Sequence, residues 1–77
     1  MASYDKKLDL SGVSAPANLL RVRKALEQMD VGQTLLVFTD ARRPERDFAA
    51  LGAQEGYNLL GKQKIDTGGY HFAFRKT

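Results

Sequence analysis

The spacing of apolar positions changes along the chain, and each spacing predicts an element. Residues 6–10 alternate apolar and polar side chains, which is typical of a short strand. From Asn18 to Met29 apolar residues recur every three or four positions, which predicts an amphipathic helix. Residues 34–38, "TLLVF", are continuously apolar and β-favouring, which predicts an interior strand. The first half of the chain therefore has the order strand, helix, strand.

A second, shorter helix is predicted after the interior strand. Pro44 suits a first helical turn, where the missing N–H of proline leaves no hydrogen bond unmade. Phe48 and Leu51 give this helix an apolar face. Gly56 fits the position just past its end, because glycine readily takes a left-handed conformation.

The last third of the chain predicts a hairpin and, with it, the fold class. Strands are expected over residues 57–65, with an irregularity at Gly61, and over residues 70–75, joined by the turn "DTGG". The order β-α-β-α-β-β indicates an α/β (α+β) two-layer sandwich. Its four-stranded mixed sheet would carry both helices on one face, because right-handed crossovers bring them to the same side. We expect residues 1–77 to form one domain.

Alternation within the strands predicts the two faces of the sheet. An aromatic stripe of period two, such as Tyr70, Phe72 and Phe74, is typical of a core rather than of a base-stacking surface. The interior strand has two apolar pairs, and one of them must lie on the face without helices. Such a patch marks an interaction or dimer surface, unless lysine stems cover it. The pairs are Leu35 with Val37 and Leu36 with Phe38, and the lysines are Lys62 and Lys64.

Composition narrows the function. The chain has 77 residues, no cysteine and a formal net charge of +3. Without cysteine there is no disulfide, thiolate metal site or cysteine nucleophile, and the lone His71 makes no ligand set, so we expect no metal or cofactor. The mild charge does not favour nucleic acid. No apolar run reaches the roughly 20 residues of a membrane span and no secretory signal is visible, so the predicted location is cytoplasmic.

The stretch "GVSAPANLL", residues 12–20, has the form of a helix entrance that stabilises an anion. The N–H groups and dipole at a helix N-terminus favour negative charge and lower the pKa of a cysteine thiolate placed there. Pro16 is predicted in the first helical turn, and the Ser14 side chain is predicted as the cap. Ala15 has no reactive atom, and Ser14 lacks the base that a hydroxyl nucleophile needs.

The segment "LDLSGVSAPANLLRVRKALEQMDVGQTLLVFTD" resembles the start of the TusA/SirA-like sulfur carrier proteins. These read Leu-Asp-x-Arg-Gly-Leu-x-Cys-Pro-x-Pro, followed by a lysine-rich helix and a short apolar strand. Asp9, Gly12 and Pro16 match the motif, and the resemblance continues over residues 7–76. It implies the two-layer sandwich and a cysteine that accepts a persulfide sulfur and passes it to a partner protein.

This sequence departs from the family motif at its reactive position. Ala15 stands where the cysteine is expected, Ser11 replaces the usual arginine, and Asn18 replaces the second proline. Ala15 is either a substitution in a working carrier or the residue of a natural relative that lacks the thiol. Ser11 favours the second explanation, because removing a thiol does not require it.

The resemblance implies a function in a sulfur relay. The partners would be persulfide donor and acceptor proteins, and the basic side of the first helix, Arg21, Arg23 and Lys24, would bind them. Ala15 would leave the chain unable to carry sulfur. The alternatives are a non-catalytic regulatory or protein-binding module and, by analogy of fold alone, a small nucleic-acid-binding domain. The three basic residues are otherwise an ordinary solvated helix face. A weak homodimer is a further expectation.

Overall fold

The computed structural model describes residues 4–77 and contains the six elements in the predicted order. They are β1 (Lys6–Leu10), α1 (Ala17–Glu27), β2 (Thr34–Thr39), α2 (Pro44–Glu55), β3 (Asn58–Lys64) and β4 (Tyr70–Arg75). The strands agree with the prediction to within one residue at each end. Helix α1 ends two residues before the predicted Met29, because the Met29 N–H donates to the carbonyl of Leu26 at 3.1 Å in a tight turn.

The four strands form one mixed sheet in the order β1-β2-β4-β3. Strand β1 runs parallel to β2, while β4 is antiparallel to both of its neighbours. Side chains of both helices pack against the same face of the sheet. The predicted fold class is therefore confirmed. Within residues 4–77 neither helix is long and apolar enough to cross a membrane.

The hydrophobic core lies between the helices and this face of the sheet. Phe48 of α2 packs against β4, with ring centroids 4.5 Å from Phe72 and 6.3 Å from Phe74. The prediction that the aromatic stripe is core is confirmed, with Tyr70 half-buried at its end. The apolar core side chains with no exposed area are Leu10, Val22, Leu26, Leu35, Val37, Phe48, Phe72 and Phe74.

The other face of the sheet carries no helix, and we call it the open face. Leu36 and Phe38 lie on it and are half-buried, which confirms that one apolar pair of β2 is left uncovered. Strand register arranges the open face in rows across the sheet. Two of them are Lys7–Leu36–Ala73–Gly61 and Asp9–Phe38–His71–Gln63.

Strand register turns Lys62 and Lys64 away from the open face, so the prediction that their stems shelter it is wrong, although Lys62 still borders a recess of that face beside the bulge in β3. They pair with Phe72 and Tyr70, whose side chains point toward the helices. The cause is a bulge between Leu59 and Gly61, which adds one residue to β3. Because side chains alternate along a strand, one extra residue moves every later side chain to the opposite face.

Candidate functional site

The loop between β1 and α1 carries the matched motif. Strands β1 and β2 are parallel, so this loop lies beside the loop that follows β2. Ser14, Ala15 and Pro16 are all exposed. Ala15, the residue predicted to occupy the position of the motif cysteine, is therefore accessible at the end of the molecule where both helices begin.

Two carboxylates hold the start of this loop. Asp9 accepts hydrogen bonds from the hydroxyl and the backbone N–H of Ser11, at 2.6 and 3.0 Å, and these bonds lower its pKa. The Asp40 carboxylate, at the end of β2, accepts the Gly12 N–H at 3.0 and 3.2 Å. Gly12 has a backbone φ of +74°, a conformation that residues other than glycine rarely adopt. Sequence reasoning assigned Asp40 no role, because the contact spans 28 residues.

The helix entrance differs from the prediction in two respects. Pro16 lies one residue outside the helix, at the N-cap, and Ala17 is the first helical residue. No side chain caps α1. Ser14 lies two residues before the N-cap, and its carbonyl, rather than its hydroxyl, accepts the Asn18 N–H at 3.1 Å. The predicted Ser14 side-chain cap is therefore wrong.

Asn18, which replaces the second proline of the motif, is a buried polar residue. Only 1% of its surface is exposed, and its Oδ1 accepts the Leu19 N–H at 2.7 Å. This bond satisfies one of the free N–H groups of the first helical turn. Asn18 thus stabilises the first turn of α1 from its buried side, and its side chain is not accessible from the surface.

A cleft of about 330 Å³ begins at Pro16 and runs between the two helices. We call it the interhelix cleft. Its lining is mainly apolar, and Leu20 is 47% exposed there. The sequence signal that could have located this cleft is Leu20, which widens the apolar stripe of α1 beyond the face that packs on the sheet. The lining residues are Leu19, Leu20 and Arg23 from α1 and Asp47, Ala50, Leu51, Gln54 and Glu55 from α2.

The structure separates the three basic residues that were predicted to bind partners. Arg23 is half-buried and lines the interhelix cleft. Arg21 and Lys24 are exposed and do not line the cleft, although Lys24 lies one turn after Leu20 on the same side of α1. Of the three basic residues, Arg23 therefore shares a surface, the interhelix cleft, with Pro16 of the motif loop.

Charges of both signs surround the far end of the cleft. Burial raises the pKa of Tyr57, the nearby carboxylates of Glu27 and Glu55 raise it further, and Arg23 opposes them. The described residues, 4–77, hold no cluster of three metal-ligating side chains. The arrangement therefore presents an accessible loop and an adjoining amphipathic cleft, which are features that bind another protein.

Known proteins resemble this chain over its length. Residues 6–76 match the family model described as Sulfurtransferase TusA. A sulfur carrier protein TusA from Allochromatium vinosum is 36% identical over 77 residues, which cover the whole of both chains. A putative sulfur carrier protein from Archaeoglobus fulgidus is 29% identical over 70 residues, or 91% of each chain. The crystal structure of a SirA-like protein from Desulfitobacterium hafniense superposes with a TM-score of 0.78 at 21% identity, over 91% of this chain and 95% of that one.

Proposed function

The chain belongs to the TusA family of sulfur carriers, and from this membership we propose that it docks the proteins of a sulfur relay without carrying sulfur itself. The observation that carries the proposal is the exposed Ala15 at the family's cysteine position, on the loop that leads into the interhelix cleft. A methyl group cannot form a persulfide. Binding of a partner protein, by contrast, needs only the surface around Ala15 and not a thiol at that position.

The interhelix cleft supplies a surface suited to a protein partner. Its apolar lining would bury side chains of the partner, and Leu20 is already exposed to receive them. Arg23 and Asp47 add charges of both signs, which would orient the partner rather than merely attract it. A sulfurtransferase that docked here would bring its persulfide to the loop at position 15.

The first experiment restores the thiol. In Ala15→Cys, the new thiolate would attack the outer sulfur of a donor persulfide. The bond between the two donor sulfurs would break, the donor thiolate would leave, and the outer sulfur would remain on residue 15. We expect the intact mass to rise by one sulfur atom when the variant is incubated with a persulfide-loaded sulfurtransferase. Ser14→Cys, an exposed thiol one residue away, is the matched control and should gain less. An unmodified Ala15→Cys would contradict the proposal.

The second experiment measures docking without any thiol. The unsubstituted chain should bind the same sulfurtransferase in isothermal titration calorimetry. Arg23→Glu should weaken binding about tenfold or more, because a charge that faces a partner has been reversed. The double change Arg21→Glu with Lys24→Glu tests the rest of the helix. Arg75→Glu, at the end of β4, is the control of equal charge. Undiminished binding by all α1 variants would contradict docking at this helix.

Three further expectations belong to the proposal. Residues 1–77 would act as one TusA-like domain, located in the cytoplasm. Its role would be regulatory wherever it occupies the docking site of a partner protein without accepting sulfur from it. The weak homodimer would leave the docking surface free, because the uncovered apolar pair lies on the opposite face of the sheet.

A further inference from the structure

The open face of the sheet has a raised half and a recessed half. In the row Lys7–Leu36–Ala73–Gly61, the side chains become smaller from β1 across to β3. The larger ones belong to the β1–β2 half and the smaller ones to the β4–β3 half. The neighbouring row places Phe38 on the first half and His71 on the second, with ring centroids 5.8 Å apart in an edge-to-face contact.

The recess is a depression of about 350 Å³ above Gly61 and Ala73. A Cβ built on Gly61 would meet no atom within 4 Å, and Gly61 does not have a positive φ. Neither the backbone conformation nor a close neighbour therefore requires glycine there. The bulge leaves Leu60 on the rim, 43% exposed. The other lining residues are Tyr4, Leu36, Lys62, Gln63 and His71.

We propose that a second copy of this chain covers the open face, related by a two-fold axis that runs parallel to the strands between β2 and β4. A rotation about this axis places β1 over the partner's β3 and β2 over the partner's β4. Within the first row, Leu36 then lies over the partner's Ala73, and Lys7 over the partner's Gly61. Large side chains meet small ones at every position of this row, and each contact occurs twice.

Charge also fits this arrangement. In the second row, Asp9 lies over the partner's Gln63, whose amide donates hydrogen bonds to carboxylates. Phe38 lies over the partner's His71, a pairing of rings already present within one chain. In these two rows no charge faces a like charge. The aliphatic stem of Lys7 would enter the recess above the partner's Gly61 while its ammonium group reached the rim.

The size of the face predicts that association is weak. Four strands about 4.8 Å apart and a length of five or six residues give a projected area of roughly 300 Å² for each copy. Stable interfaces bury about 800 Å² for each partner. The dimer should therefore form only at high concentration. This inference is independent of the docking function, because the interhelix cleft lies on the other side of the molecule.

The test uses Gly61, where either charge fits without disturbing the fold. The dissociation constant of the dimer would be measured by sedimentation equilibrium from micromolar to millimolar chain concentrations at low salt. Both substitutions fill part of the recess, so the measured quantity is the ratio of their dissociation constants. In Gly61→Glu, a carboxylate would face the partner's Lys7, and its dimer should be about tenfold or more tighter than that of Gly61→Lys, since two such pairs form in each dimer. In Gly61→Lys, an ammonium group would face the same lysine and should weaken the dimer.

Matched controls separate this register from non-specific association. Ala53→Glu and Ala53→Lys make the same charge changes on an exposed position of α2 and should leave the dissociation constant unchanged. The double variant Lys7→Glu with Gly61→Lys should recover the dissociation constant of Gly61→Glu, because it forms the same pair with the two charges exchanged. In two-dimensional NMR, amide signals of residues 36, 38, 61, 71 and 73 should shift with concentration. A monomer at all concentrations, equal effects of Gly61→Glu and Gly61→Lys, or shifts confined to the interhelix cleft would overturn the proposal.

Discussion

Gly69 ends the turn of the β3–β4 hairpin in a conformation that favours glycine, with a φ of +91°. A Cβ at this position would lie 2.8 Å from the Phe38 ring and 2.9 Å from the carbonyl oxygen of Thr39. Two ring atoms of Phe38 lie within 2.9 Å of this Cβ, and the Thr39 oxygen belongs to the backbone, which cannot move freely. At the residue scale, backbone conformation and close packing therefore exclude a side chain here.

We predict that Gly69→Ala lowers the free energy of unfolding by about 2–3 kcal/mol, from the left-handed strain together with the overpacking. Urea denaturation measures the change. Gly61→Ala is the control, because its Cβ meets no atom within 4 Å and its φ is not positive. It should change stability by less than about 0.5 kcal/mol. Equal losses in the two variants would contradict the assignment.

Asp40 is the second residue with a specific role, because it holds the Gly12 N–H beside the motif loop. Asp40→Ala removes the acceptor and should cost about 1 kcal/mol at this exposed site. It should also broaden or shift the amide signals of residues 12–17, since the loop loses its anchor. Asp40→Asn keeps one oxygen acceptor and should have a smaller effect on both. If the loop signals of Asp40→Ala stay unchanged, the anchoring role is wrong.

At the scale of elements, the start of α2 is joined to β4 by one side-chain hydrogen bond. The Tyr70 hydroxyl donates to Glu45 Oε2 at 3.0 Å. The pKa of Glu45 is lowered first by its own backbone N–H and then by this bond, with the charges of Lys62 and Lys64 adding to the effect. The bulge in β3 therefore matters here also, because it places both lysines on the helix side.

We predict that Tyr70→Phe raises the pKa of Glu45 toward its ordinary value of 4.5. Because folding lowers this pKa, the stability contributed by ionised Glu45 is present above pH 4.5 and is lost as the pH falls through the folded-state pKa. The difference in stability between Tyr70→Phe and the unsubstituted chain should therefore shrink in acid. A carbon-detected NMR titration of the Glu45 carboxyl checks the shift. Tyr57→Phe, at a tyrosine whose charged neighbours do not include Glu45, should leave it unchanged.

At the scale of the whole molecule, Phe48 connects the second helix to the sheet. It has no exposed area and lies against both Phe72 and Phe74. Phe48→Ala should cost about 3–5 kcal/mol, from lost burial and the cavity left behind. A domain of this size has a total stability near the lower end of about 5–15 kcal/mol, so the variant should be largely unfolded near body temperature.

Thermal denaturation followed by circular dichroism tests this prediction. Leu20→Ala is the matched control, because it truncates a side chain that is 47% exposed in the interhelix cleft. It should cost less than about 1 kcal/mol while it weakens docking of a sulfurtransferase. A midpoint for Phe48→Ala close to that of Leu20→Ala would show that the contact between α2 and β4 contributes little to the fold.

The sequence by itself determined the order of the elements, the core stripe of β4 and the missing thiol. Period-two and helical spacings are local properties, so β1 and β4 could be bounded correctly from their own residues. Two apolar pairs on β2 required an uncovered face, because only one face of a two-layer sandwich is packed. The motif around Asp9, Gly12 and Pro16 indicated the family, and the absence of a cysteine, with alanine at position 15, is read directly from the sequence.

Tertiary structure alone decided which residues meet. The Gly12–Asp40 bond joins residues 28 positions apart, and the parallel pairing of β1 with β2 brings them together. The packing of α1 against α2 turned Arg23 into the interhelix cleft and left Arg21 and Lys24 outside it. The irregularity near Gly61 was visible in the sequence, but its consequence was not. Only the pairing of β3 with β4 shows that the extra residue turns the later side chains of β3 to the other face of the sheet. The face on which a strand residue lies is fixed by its register with the neighbouring strand, which the sequence of β3 alone does not contain.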